Sequence, residues 1–325
     1  MNNHWSEYWE QGHLTSFGDS FTDNYTGVLK NVWKPIFEGL PNDYKFLDLA
    51  TGNGALPLLA SDYLREKSIR GEGVGVDLAK ISTDLSTVNI ADNITISLNS
   101  EVDCTSLPFN ESEFDLVVSQ FGIEYADLEI AIPEALRVLK VDGKLSFVMH
   151  HEHSMVITRN RKIHVLINNQ QVDVFFDAII KLIEKMGPIN TKHDFIRVKS
   201  EQACKRLRQE LQLSIDALVK ADEEALQDSE LLTYLSTLFN QGIFWSVDKK
   251  RDYIEFAKLQ ILTLRNRLEE LIFAAKTQQN IAQILVSISN LGAYLDSVKT
   301  LYSENDEIIG WHIVVTKIHN SSECS

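Results

Sequence analysis

At 325 residues, 44% hydrophobic and 24% charged, the chain can bury a full core in one large domain or two moderate ones. No apolar run approaches the roughly 18 residues that span a bilayer, and Met1-Asn-Asn-His-Trp5 lacks a basic-then-apolar leader, so a cytoplasmic protein away from membranes is expected. The net charge of −15 is uneven: residues 156–278 hold 19 Lys/Arg against 17 Asp/Glu, leaving 12 against 29 elsewhere, a surface that argues against a nucleic-acid partner.

The first 45 residues are rich in aromatics: Trp5, Tyr8, Trp9, Phe17, Phe21, Tyr25 and Trp33. Residues 45–50 predict a short strand that enters the turn Thr51-Gly-Asn-Gly54, with a helix from 55 to about 67. A second strand is expected at 73–77 and a helix at 78–89. Strands at 94–98 and 114–119, a helix at 130–139 and a fifth strand at 144–149 follow. This alternation predicts an α/β fold with a parallel sheet covered on both faces.

From about Asp173 to Thr277 the pattern is helical. Ile254, Ala257, Ile261, Leu264, Leu268 and Leu271 draw one apolar seam, with Ser246 or Asp248 as candidate caps. A shorter seam runs through Ala203, Leu207, Leu211 and Leu218. Either seam serves internal packing or a homodimer interface. A helix at 280–291 precedes strands near 294–301 and 308–317, which a polar loop joins as an antiparallel hairpin. Three stretches are therefore expected: an aromatic segment 1–45, a core of 46–155 with 279–325, and a helical insertion 156–278 that caps a substrate, dimerises, or both. Three cysteines, Cys104, Cys204 and Cys324, show no CxxC spacing and fit a reducing compartment.

Asp48-Leu-Ala-Thr-Gly52-Asn-Gly54 carries the most chemical information. Glycines at the mouth of a strand let backbone approach a ligand and reach φ values that other residues avoid. A dinucleotide fingerprint needs a third glycine where Pro57 stands, which counts against a NAD-dependent oxidoreductase although Asp77 would suit one. Asp77 ends the second strand, where a carboxylate can accept both hydroxyls of a ribose. Asp103, in Asp103-Cys-Thr-Ser-Leu-Pro-Phe109, together with a following N–H could read an adenine edge.

On these residues the chain resembles class I S-adenosylmethionine (SAM) dependent methyltransferases, especially the ubiquinone/menaquinone C-methyltransferase branch. The resemblance rests on Phe46-Leu-Asp-Leu-Ala-Thr-Gly-Asn-Gly54, Gly75-Val-Asp77, Asp103 with Leu107-Pro-Phe109, Phe114-Asp-Leu-Val-Val118 and Glu134-Ala-Leu-Arg-Val-Leu-Lys-Val-Asp-Gly-Lys144. Trp311-His-Ile-Val-Val-Thr-Lys317 matches the closing strand. It covers roughly half the chain, and Ala50 stands where the family often has its first glycine. The resemblance implies a seven-stranded Rossmann-like sheet with its last strand antiparallel, an α-helical insertion after strand five, and SAM above the carboxyl edge. Gly52 and Gly54 would line the methionine moiety, Asp77 the ribose and Asp103 the adenine. Asp48, Ala50, Thr51, Asn53, Leu78, Cys104 and Gln120 complete the candidate cofactor set. The N-terminal aromatics would either close over SAM as a lid or pack on the sheet.

His150-His-Glu-His153 follows the fifth strand. Alternation in extended chain lets His151 and His153 share a face, so a metal site, a general base (His151 first, then His150) and a plain polar strand end all stay open. Ser119-Gln-Phe-Gly122 is not the Asn/Asp-Pro-Pro motif of base or amide N-methylation. The reading is methyl transfer to an O, N or C nucleophile of a small or medium-sized acceptor, no metal being required. The rivals are a methyltransferase acting on a peptide held by the insertion, a NAD-dependent oxidoreductase and a SAM-binding module without catalysis.

Overall fold

The computed structural model describes residues 4–16 and 23–319; Phe17, Phe21 and Cys324 lie outside the described residues. Seven strands form one sheet: β1 (Tyr44–Leu49), β2 (Gly71–Val76), β3 (Ile94–Asn99), β4 (Phe114–Gln120), β5 (Leu139–His150), β6 (Ala293–Tyr302) and β7 (Ile308–Lys317). Their order is β3-β2-β1-β4-β5-β7-β6, with β7 antiparallel to both of its neighbours and the remaining pairs parallel. The central strands read as near-continuous apolar runs because both of their faces are covered.

Large and small residues alternate across the β1–β2 pair. Tyr44 and Phe46 pair in register with Gly71 and Gly73. A Cβ added at either glycine would come within 2.5 Å of the facing ring. The glycines of β2 therefore make room for the rings of β1 to lie across it.

Helices α1 (His4–Glu10), α2 (Gly27–Asn31), α3 (Lys34–Glu38), α4 (Ala55–Leu64), α5 (Leu128–Val138) and α12 (Gln278–Asn290) accompany the sheet. One face buries Leu47, Leu49, Val117 and Phe147 with Ala131 and Leu136 of α5 and Ile281 and Ile288 of α12. The opposite face buries Phe46, Leu116, Val118 and Val148 with Trp33, Phe37 of α3, and Leu56 and Leu59 of α4. Each fully buried aromatic or leucine contributes about 1.5–3 kcal/mol of apolar transfer free energy.

Residues 78–89, expected to be helical, form an irregular segment instead. The reason is competition for backbone donors. The amides of Ala79, Lys80, Ile81 and Ser82 donate in turn to Asp77 Oδ1, Ser6 Oγ, Ser100 Oγ and Asn53 Oδ1. Ser86 N is likewise taken by Asp84. Side-chain acceptors of this kind offer the chain an alternative to the helical ladder.

The chain divides into two compact units, residues 1–157 with 273–325, and residues 158–272. Helical structure begins earlier than the sequence pattern suggests, at α6 (Met155–Ile167). The second unit contains the rest of α6, α7 (Gln171–Met186), α8 (Lys192–Ser200), α9 (Gln202–Asp228), α10 (Leu231–Asn240) and most of α11 (Val247–Ala274). Helix α9 breaks at Asp222, whose backbone is extended and whose carboxylate accepts from Ala225 N to restart the turn. Ser246 caps α11 by accepting from Lys249 N. Both seams point inward: Leu211 and Leu218 share a core with Ile254, Ala257, Ile261 and Leu268, with Phe175 and Ile179 of α7 beside them.

Ala50 adopts φ 54°, the left-handed region, and a Cβ at Gly122 would meet the Ala50 methyl at 2.6 Å and its carbonyl oxygen at 3.0 Å. Gly122→Ala should therefore cost about 1–3 kcal/mol in urea unfolding. Adding Ala50→Gly should recover part of that loss, because it removes one of the two colliding methyls and the left-handed penalty of about 1–2 kcal/mol. Strictly additive effects would mean that the two positions do not meet.

Candidate cofactor-binding site

The loop after β1 turns sharply because Ala50, Gly52 and Gly54 all take positive φ, at 54°, 55° and 88°. Thr51 N donates to Val76 O at 3.0 Å, which joins this loop to the end of β2. Asp77 completes the join: its Oδ2 accepts from Gly52 N and its Oδ1 from Ala79 N, each at 2.8 Å. Behind the loop, Asp48 accepts from Thr51 Oγ1 at 2.5 Å.

Both carboxylates are buried, at 2% and 8% exposure. Burial pushes the Asp48 carboxyl up to about 8; the Thr51 bond opposes this and the charge of Asp77 adds to it. Asp77 is also raised by burial, against the two amide bonds that favour its ionised form. Two acids thus crowd one edge of the sheet.

Several features suit a nucleoside bearing an amino-acid tail. A carboxylate offers about four lone-pair sites, and Asp77 uses two of them, which leaves acceptors for a diol. Val102 N donates to Asp77 O at 2.9 Å, bringing the following loop against the same edge. There Asp103 Oδ1 accepts from Thr105 N and Oγ1, and its carboxylate is exposed. Leu78, 53% exposed, presents an apolar face beside Asp77. The half-buried Cys104 thiol is pushed up to about 11, by burial first and the Asp103 charge second, so it stays protonated and is no nucleophile. At Gly52 a Cβ would come within 2.6 Å of the Trp9 ring, and at Gly54 within 2.9 Å of Leu98. No side chain fits between the loop and its cover.

Asn53 and Gln120 also make contacts within the protein. Asn53 is a clasp: its Nδ2 donates to Trp9 O at 3.0 Å and His13 O at 2.7 Å, and its Oδ1 accepts from Ser82 N. It fastens α1 over the glycine loop. Gln120 Oε1 accepts from Trp33 Nε1 at 2.6 Å, and Trp33 is fully buried.

The histidines separate. His150 is 3% exposed and stacks on Phe121 at 4.4 Å; burial and then Lys276 push it down to about 3, so it is a neutral imidazole. His151 stacks on Trp311 at 4.4 Å, and its Nδ1 accepts from His153 N. Burial lowers its pKa too, followed by the nearby His153. Among the described residues no group of three His, Cys, Asp or Glu side chains is placed to hold a metal ion.

Glu124 is a buried acid at the same sheet edge that the sequence reading passed over. It lies in a single 3-10 turn (Ile123–Tyr125) after β4, is 2% exposed, and its Oε1 accepts from His150 N at 2.8 Å. A glutamate in a stretch of Gly-Ile-Glu-Tyr carries no sequence mark of burial. The signal is tertiary. Within the helical unit a separate cavity of about 570 Å³ is lined by Leu182, Met186, Phe195, Leu211, Leu235 and Phe239 among others.

Residues 47–147 match the family described as "Methyltransferase domain". Demethylmenaquinone methyltransferase from Thermus thermophilus is 35% identical over 102 residues, 31% of this chain and 44% of its own. The enzyme of that name from Bacteroides fragilis is 29% identical over 103 residues, 31% of this chain and 41% of its own. The chain thus spans less than half the length of these curated relatives. A SAM-dependent methyltransferase from Methanosarcina mazei aligns with TM-score 0.41 and 13% identity, over 92% of this chain and 100% of that one. No described helix is long and apolar enough to cross a membrane. The segment 47–147, which contains the glycine turn and strands β1 to β4, is thus similar to methyltransferase domains.

Proposed function

We propose that the chain binds SAM against the 50–54 loop and transfers its methyl group to a small-molecule acceptor. The observation that carries this reading is the Asp77 carboxylate, held by Gly52 N and Ala79 N at the carboxyl edge with acceptor capacity to spare. When bound, SAM supplies an activated methyl on a sulfonium sulfur. The protein's residues do the rest: Asp77 accepts from the ribose hydroxyls, Gly52 and Gly54 give the methionine portion backbone to lie on, and Leu78 with Asp103 and Cys104 borders the base. The Trp9 ring rests on Gly52, so it turns aside for the methionine portion to lie there and then shields it from water, which strengthens the charge interactions beneath it. Alignment and desolvation of this kind supply most of what such a transfer needs. The compound named in those relatives' titles, demethylmenaquinone, is neither a polypeptide nor a nucleic acid, and this supports a small-molecule class of acceptor here.

Two measurements test the reading. Asp77→Ala removes two charge-assisted acceptors at about 1.5–3 kcal/mol each, so calorimetric affinity for SAM should fall roughly 100-fold or more. Affinity within threefold of the parent protein would sink the assignment.

Asp48 gives the second. With its carboxyl near 8 it is mostly protonated at pH 7, and the positive charges of SAM favour its ionised form. Binding should then release a proton near pH 7, and affinity should rise with pH until about 8 and level off above. Calorimetry in two buffers of different ionisation enthalpy reads that proton directly. Asp48→Asn should abolish the release, and a proton-silent parent protein would remove Asp48 from the binding linkage.

A further inference from the structure

The cavity of about 570 Å³ in the helical unit is walled by residues between Leu182 and Ile243, all within that unit. A space of this size takes a small-molecule ligand. Its wall is mostly apolar: Leu182 and Met186 of α7, Ile215 of α9, and Leu235 and Phe239 of α10 face it. Packed cores leave few voids larger than a water molecule. Here α7 to α10 leave a gap that reaches solvent, where Phe195 on its wall is 45% exposed and Gln212 is exposed beside it.

Two cations stand on the same wall, Lys199 near the end of α8 and Arg208 of α9. Neither is paired with a carboxylate among the described residues, because the acids around them are engaged elsewhere. Glu201 pairs with Lys185 and Arg197, Glu210 with Arg206, Asp194 caps α8, and Asp216 accepts from Gln212. By contrast Arg159, Lys162, Arg251 and Lys258 of the same unit each hold an acid. Arg208 Nη2 donates to Val198 O at 2.5 Å, which fixes the guanidinium against the carbonyl end of α8 and leaves other N–H groups available.

We propose that this cavity binds a long-chain carboxylate, its hydrocarbon tail among Leu182, Met186, Leu235 and Phe239 and its head between Lys199 and Arg208. A guanidinium fork matches the two oxygens of a carboxylate, and the lysine adds a second positive charge. Charge along the chain agrees. Residues 156–278 carry 19 Lys/Arg against 17 Asp/Glu and the remainder 12 against 29, so an anion meets the least repulsion in the helical segment. A purely apolar ligand would leave both cations without a partner, and a short acid or a free phosphate would leave the apolar wall wet. The cavity shares no residue with the methyl-donor loop, and the proposal stands apart from the methyltransferase reading.

Calorimetry on the full chain tests it, with every ligand held below its micelle concentration. Each buried methylene is worth about fourfold in affinity, so dodecanoate should bind at least roughly tenfold more tightly than decanoate. Decanoate should in turn exceed 1-decanol, which has the same tail without the charge, by about tenfold, and dodecyltrimethylammonium should bind more weakly than dodecanoate by at least as much. Arg208→Gln and Lys199→Gln should each weaken decanoate about tenfold and leave 1-decanol within threefold of the parent protein. Leu235→Trp, which fills the cavity, should abolish binding of both. Three results in the parent protein overturn the proposal without any variant having to fold: 1-decanol or the cationic amphiphile binding as tightly as the acid of equal chain length, no gain from decanoate to dodecanoate, or no dodecanoate binding up to about 1 mM, as when a peptide or a second copy closes the cavity. Unchanged decanoate affinity in a folded Arg208→Gln or Leu235→Trp protein overturns it as well.

Discussion

The Asp77 carboxylate, shared between Gly52 N and Ala79 N, holds together the two loops that leave β1 and β2. Parallel strands deliver their carboxyl ends to the same edge, but the loops that follow have no regular pairing of their own. Here a single buried acid supplies it. Thr51 N to Val76 O adds one backbone bond, and Val102 N to Asp77 O extends the join to the loop after β3. Three loops thus take their positions from one residue. The arrangement puts a negative charge where water is scarce, and hydrogen bonds from two amides make that burial tolerable.

The same loops explain how the N-terminal segment is held. Once the amides of residues 79–82 are claimed by side chains, residues 78–89 cannot wind into a helix, and the irregular chain exposes donors toward α1. Ser6 and Asn53 use them. Asn53 in particular joins three segments with one side chain, reaching Trp9 O, His13 O and Ser82 N. Glycine at 52 then becomes a packing requirement as well as a conformational one, because the Trp9 ring rests where a side chain would be.

Much of this was legible in the chain itself. The strands are short apolar runs closed by turn residues, and their spacing with intervening helices implied the parallel sheet; the hairpin at the end implied its antiparallel edge. Asp48, Thr51, Gly52 and Asp77 do converge, since each sits at or just past a strand terminus, and strand termini of one sheet share an edge. What escaped were features set by partners distant in sequence. The pattern at 78–89 looks helical until Ser6, Asn53 and Ser100 are present to compete for its amides. That Asn53 would also hold His13 is likewise set from far along the chain. Glu124 drew no reading from the sequence, and its burial comes from β5 bringing His150 over it. Hydrophobic periodicity reports which face of an element is buried, and it carries no information about a polar side chain buried from a turn.

Asp48, Glu124 and His150 are shifted in opposite directions for one physical reason. Desolvation penalises whichever form is charged, so it lifts Asp48 to about 8 and Glu124 to about 7 while dropping His150 to about 3. At physiological pH this leaves Asp48 mostly protonated, Glu124 near its midpoint and His150 neutral. A cationic methyl donor entering such a space meets acids able to ionise in response. On the reading proposed above, its positive charge favours carboxylate at Asp48, and transfer of the methyl then removes the sulfonium charge that favoured it. Burial would thus couple the protonation of the site to the charge of its ligand. An exposed pair of carboxylates, ionised throughout and screened by solvent, would respond far less.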